Sequence, residues 1–368
     1  MDTIADNLKV RICNLFRIQM KNMAGKENRK LILHFDVNKT IVPLDSATGE
    51  SLEEVLNIHV SRLLWRKEKV GKSERMLDYL SQNHVQKGSA SYEKSSVLRY
   101  SGTDRKSGFE SLKQALQWKS PYVEEDHQTL TILGRDKCRY HFILPSFYKL
   151  LQYMVKEDRD FVIIFRSFGV DTKNVLESIR TFASTRCSNS SSSDSNISCL
   201  SDKISTNLCS LNRNSDDCFE LITDKSKGTS LYSERDIYDC LTQSAGIWGI
   251  KDDYLHWSNG NYDTSSGKPL WIDPSDASVQ HIFFDDNIRP GQPDSIVDIR
   301  VFSNGSPTSF RPVTKEEEYV FSNMNLAPVN LSHAILDENY FIRNLKQCER
   351  NYSAFLEEHG KYSAATKS

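Results

Sequence analysis

Short apolar runs that end in polar or acidic residues are the clearest signal along the chain. Leu31 to Asp36 reads LILHFD, with the charged stretch GKENRK before it and polar residues after it. Phe161 to Ser167 reads FVIIFRS, and His281 to Asn287 reads HIFFDDN. Runs of this length without apolar–polar alternation suit strands covered on both faces, the situation of a parallel sheet between helices. SIVDIRVF at 295 to 302 predicts a further short strand. AGIWGIKDDYLHWSNGNYDTSSGKPLWID, from 245, predicts two more strands joined by a turn rich in Gly, Asn and Ser.

Between the runs the period lengthens. Leu52, Val55, Leu56, Val60, Leu63 and Leu64 fall near helical spacing after a capping Ser51. HFILPSFYKLLQYMVKEDRD at 141 to 160 predicts a helix opening at Pro145, and another runs from Thr172 to Phe182 after the turn RSFGVD. Ile335, Tyr340, Leu345, Cys348, Tyr352 and Phe355 space a C-terminal amphipathic helix. The order strand, insertion, helix, strand, helix predicts an α/β fold with a Rossmann-like parallel sheet. The expected segments are an N-terminal segment with the first strand (1–50), an insertion (51–140), the body of the core (141–310) and a C-terminal helical extension (311–368). Twelve serines between 184 and 216, with few large apolar side chains, predict a flexible, poorly packed loop.

Composition narrows the function classes. Lys plus Arg total 47 against 49 for Asp plus Glu, so the chain has no excess of positive charge with which to release counterions from a nucleic acid. The first twenty residues mix charges among apolar positions, unlike a signal peptide or a membrane span. A cytoplasmic protein with neither nucleic acid nor membrane as partner is expected. Eight cysteines without a CxxC pair read as ordinary reduced thiols.

In open parallel sheets, ligands bind beyond the carboxyl ends of the strands. Asp36, Ser167 and the pair Asp285–Asp286 each follow an apolar run and are expected there together. Carboxylates gathered at one point repel unless a cation lies among them, and oxygen-only donors suit Mg²⁺.

These residues resemble a known family. FDVNKT at 35 to 40 resembles the first motif of the haloacid dehalogenase superfamily, an apolar strand followed by DxDxT or DxDxV. FVIIFRS is similar to its second motif, a strand ending in Ser or Thr, and IFFDDN to its fourth, the acidic pair. Lys268, 17 residues before Asp285, is the candidate for the third, with Lys251 as the alternative. The resemblance implies a haloacid-dehalogenase-type core in which the 51–140 insertion stands where the family places a cap. It implies that Asp36 attacks phosphorus to give an aspartyl-phosphate, which water hydrolyses. Mg²⁺ would be held by Asp36, the backbone carbonyl of Asn38, Asp285 and Asp286. Phosphate would be held by Ser167 and Lys268. Arg166, beside Ser167, either clamps a phosphate or pairs with a carboxylate.

The departure is at residue 38. The family's usual second aspartate, which acts as general acid and base, is Asn38 here, and an amide does not titrate. Two functions are therefore expected as alternatives. One is a Mg²⁺-dependent phosphatase or phosphotransferase acting on a phosphorylated small molecule or phosphoprotein. The other is an impaired relative that binds metal and phosphate as an interaction module.

Overall fold

The structure is a computed structural model that describes residues 29–70, 103–119, 125–188, 198–214, 218–224, 228–302 and 310–365. The chain enters through β1 (Lys30–Asp36), then α1 (Leu52–Val70) and α2 (Thr103–Leu116), then a small hairpin of β2 (Thr131–Leu133) and β3 (Arg139–His141). Next come α3 (Pro145–Lys156), β4 (Phe161–Ser167), α4 (Thr172–Ser188), β5 (Ile204–Arg213), β6 (Phe219–Asp224), β7 (Thr229–Leu231), α5 (Glu234–Gln243) and β8 (Gly246–Lys251). After α6 (Tyr254–Asn259) follow β9 (Lys268–Ile272), β10 (Val279–Asp285), β11 (Val297–Phe302) and β12 (Phe310–Pro312). The last elements are α7 (Lys315–Asn325), β13 (Leu326–Pro328), α8 (Leu331–Leu336) and α9 (Tyr340–Ala365).

Eight strands form the main sheet in the order β13-β10-β1-β4-β8-β5-β6-β7. The six from β13 to β5 run parallel, and β6 and β7 turn back antiparallel at one edge. Alternate residues of β1 serve opposite faces. Leu33 and Phe35 join the core built with α3, α4 and α9, whereas Ile32 joins one that includes Ile237 and Tyr238 of α5 and Trp271 of β9. A small sheet, β12-β11-β9, thus covers part of the second face. Each fully buried Leu, Ile or Phe contributes about 1.5–3 kcal/mol, so the continuous apolar runs are what fix β1, β4 and β10 at the centre.

Chain order creates a switch point. From β1 the chain adds β4 and β8 on one side, then returns to lay β10 on the other side of β1 and β13 beyond it. Beyond the carboxyl ends of β1 and β10 the connections diverge, and at such a point parallel sheets form the crevice that takes ligands.

Several expectations change. Ile204 to Arg213, read as part of a flexible serine-rich loop, is β5, with Ile204, Cys209 and Leu211 buried. Residues 189–197 and 215–216 of that stretch, and 71–102 and 120–124 of the insertion, lie outside the described residues. The two strands expected to be joined by a turn, β8 and β9, belong to different sheets, with α6 and a short 3-10 turn (Thr264–Ser266) between them. The C-terminal segment holds β13 as well as helices, and residues 337–339 separate α8 from α9. Leu52, Val55, Leu56, Leu112, Leu116 and Tyr140 of the 51–140 segment share one core with β1 and α3. No described helix is long and apolar enough to cross a membrane.

Candidate functional site

Asp36 is the last residue of β1 and Asp285 the last of β10, so the parallel pairing of these neighbouring strands delivers both acids to one edge. Asp286 follows at once. One carboxylate oxygen from each of the three lies within 4.8 Å of the others. Lys268 reaches the same point from β9 of the small sheet and is only 2% exposed. Its Nζ donates to Asp36 Oδ1 at 2.6 Å, to Asp285 Oδ2 at 2.9 Å and to the carbonyl of Arg166 at 3.2 Å.

The loops are tied so that the acids cannot drift apart. Thr40, fully buried, donates from Oγ1 to Asp36 Oδ2 at 3.0 Å and accepts from the Asp286 backbone N–H at 3.2 Å. One hydroxyl thus links the turn after β1 to the turn after β10. The turn after β1 is tight: Lys39 is left-handed at φ 59°, and its N–H bonds the Val42 carbonyl at 2.8 Å. The Asn287 N–H closes on Asp285 Oδ1 at 2.8 Å, and its amide donates to Asp286 Oδ1 at 3.0 Å.

The electrostatics are frustrated. Burial holds the Asp36 carboxyl well above the usual carboxylate range; the Lys268 ammonium opposes that, and Asp285 and Asp286 add to it. Burial also works against the charge on Lys268, but Asp285 and Asp36 outweigh it and hold its pKa above the ordinary lysine value. Three carboxylates against one ammonium leave 3 − 1 = 2 negative charges when all are ionised. Two unit charges at such a spacing repel by about 3–4 kcal/mol at an effective dielectric near 20, which is the strain a divalent cation would relieve. The donors are oxygens, the set preferred by Mg²⁺. The residues therefore fit the ion.

At the end of β4, Ser167 is buried, and its Oγ accepts from the Gly169 N–H at 3.0 Å, leaving its own hydrogen to donate. Arg166 is fully buried and grips Asp252, with Nη2 to Oδ1 at 2.5 Å and Nε to Oδ2 at 3.0 Å, while its Nη1 donates to the Pro269 carbonyl at 3.1 Å. Of its two expected roles, carboxylate pairing is therefore the one the contacts display. A strand alternates its side chains between faces, so Arg166 and Ser167 do not point the same way. Lys251, the alternative to Lys268, is exposed at the end of β8.

The amide Nδ2 of Asn38 donates to Asp171 Oδ2 at 3.1 Å, and Oδ1 is buried with no hydrogen-bond partner among the described residues. The same Asp171 oxygen accepts from Ser46 Oγ at 2.5 Å. Asp171, Ser46 and the bridging role of Thr40 escaped the sequence reading. For Thr40 a signal existed, because it closes the FDVNKT motif; the Asp171–Ser46 contact spans 125 positions and left none.

Compared with protein-family models, curated proteins and solved structures, the chain gives no match.

Proposed function

We propose that the chain is a haloacid-dehalogenase-like phosphatase or phosphotransferase that uses Mg²⁺. One observation carries this reading: Asp36, Asp285, Asp286 and a buried Lys268 converge at the switch point of a parallel sheet. Asp36 is the nucleophile, attacking phosphorus and releasing the leaving group. Ser167 donates to a phosphoryl oxygen, and Lys268 offsets its charge while holding Asp36 against rotation. Water then hydrolyses the aspartyl-phosphate. Asp36, Asp285, Asp286 and the Asn38 carbonyl would hold the metal. Bound there, Mg²⁺ supplies Lewis-acid stabilisation of charge on the transferring group.

Asn38 favours a second reading, a module that binds metal and phosphate without turnover, because its amide neither gives nor takes a proton. Melting in a Mg²⁺ titration, followed by hydrolysis of p-nitrophenyl phosphate, separates the two. Mg²⁺ at a hundred times its Kd should add about 2.7 kcal/mol of stability. Asp285→Asn should abolish the shift and Asp36→Ala the hydrolysis. A Mg²⁺ shift without hydrolysis selects the binding module; no shift in the wild-type protein removes both readings.

A further inference from the structure

Beside Lys268 stands a group of aromatic rings for which the phosphoryl chemistry has no use. Phe168 follows Ser167 directly, and its ring centroid lies 5.1 Å from Lys268 Nζ, the ammonium that joins Asp36 to Asp285. Trp257 stacks on Phe168 with centroids 4.9 Å apart and planes 11° from parallel. Tyr254 stands edge-on to both, at 5.8 Å and 6.3 Å. Tyr262 meets Trp257 edge-on at 4.9 Å.

Inner members of the group pack on the core; outer members do not. Phe168 and Trp257 lean on the cluster that contains Leu270 and Phe283. Tyr254 and Leu255, on α6 after β8, and Val170, on the loop after β4, are 47%, 69% and 75% exposed. The two segments are joined, because the Asp252 N–H donates to the Ser167 carbonyl at 2.9 Å. Apolar side chains collected in water beside charged chemistry mark a ligand surface more often than they mark an accident of packing. The backbone is also constrained to deliver them. Asn261 and Tyr262 are consecutive left-handed non-glycine residues at φ 56° and 61°, and the Tyr262 N–H bonds the Trp257 carbonyl at 3.0 Å. Such conformations persist where the surroundings impose them, and they collect at ligand sites.

We propose that Phe168, Tyr254 and Trp257 form a subsite for an aromatic leaving group, so that the site takes small aryl phosphates in preference to alkyl ones. The proposal rests on the phosphoryl-transfer reading of the crevice. A phosphate held by Ser167 and Lys268 has Phe168 as its neighbour, and a planar ring bonded to that phosphate gains stacking and edge contacts that an alkyl group lacks. The chemistry is unchanged: Asp36 forms the bond to phosphorus, the bond from phosphorus to the phenolic oxygen breaks, and that oxygen leaves with the electron pair.

Non-hydrolysable probes test the subsite without requiring turnover. Phenylphosphonate, methylphosphonate and inorganic phosphate are titrated by calorimetry into the full chain in saturating Mg²⁺. Phenylphosphonate is expected to bind roughly tenfold or more tightly than methylphosphonate. That ratio should fall toward one in Tyr254→Ala, and likewise in Phe168→Leu, which keeps an apolar side chain should the larger truncation disturb folding. In Tyr319→Ala, an exposed tyrosine on α7, the ratio should not change. Equal binding of the two phosphonates, or a preference that survives both Tyr254→Ala and Phe168→Leu, overturns the subsite while the phosphoryl site stands. Failure of all three probes to bind overturns the phosphoryl site and the subsite with it.

Discussion

Asn38 is tied to an acid although it is not one. Its amide donates to Asp171 at 3.1 Å, so Asn38→Asp would set two carboxylates against each other with Ser46 as the remaining donor. A titratable carboxyl at position 38, beside the proposed nucleophile Asp36, is what leaving-group protonation needs. Asn38→Asp should therefore raise Mg²⁺-dependent hydrolysis of an activated aryl phosphate by roughly tenfold or more, and the gain should vanish when Asp36→Ala is added. An inert Asn38→Asp beside an efficient wild-type protein would mean that a different group handles the proton. Thr40 makes the same point about scale: one buried hydroxyl between Asp36 and the Asp286 N–H holds two turns that are 246 positions apart.

Elements differ in how openly the sequence declares them. The strands β1, β4 and β10 were legible because burial on both faces demands unbroken apolar runs, and the acids that end β1 and β10 were legible because a polar residue after such a run needs a reason. Ser167 and Lys268 were found through their place in an ordered set of motifs. The strand β5 was not legible. Its sequence, ISTNLCSLNR, is half polar, and a register shift between Ile204 and Leu208 breaks the alternation that would have exposed it. Hydrogen bonding to β8 on one side and β6 on the other outweighs that weak local preference. The simple turn expected between β8 and β9 failed for a related reason. Residues suited to a turn serve here as caps, as where Asp253 accepts from the His256 N–H to start α6. Because β5 lies inside the sheet, Leu211→Ala, at a site 2% exposed, should cost about 2–4 kcal/mol in urea denaturation. A loss below 0.5 kcal/mol, about the size of a surface substitution, would return this stretch to the status of a loose loop.

For the molecule as a whole, the pairing of β1 with β10 sets acid stability as well as the site. His34 and His281 face each other across it, Nε2 to Nδ1 at 3.1 Å, and the outer nitrogen of each ring is buried without a partner among the described residues. Burial holds His34 well below the usual imidazole range, and it pushes His281 down to about 3 from an ordinary 6.5. Both rings are therefore neutral in the fold. As pH drops below 6.5 the unfolded chain takes up protons that the fold refuses, so stability declines, for His281 until it titrates near 3. His281→Phe keeps a ring against Tyr238 and removes one such group. Its unfolding free energy should fall with acid less steeply, by about 1.4 kcal/mol per pH unit. An unchanged slope would show that His281 titrates in the folded protein.

The strand β1 is also made well before the partner that covers one of its edges. The Lys268–Asp36 pair joins residues 232 positions apart, and β10 emerges later still. At about 5–20 residues per second, a ribosome needs roughly 10–50 s to cover that distance. Throughout that interval LILHF has one edge without a neighbour and two apolar faces only partly covered. A chain stopped before Val279 would keep β4 beside β1 and leave the other edge open to any strand that passes. The topology that creates the crevice therefore makes the protein dependent, while it is being made, on whatever shields that edge.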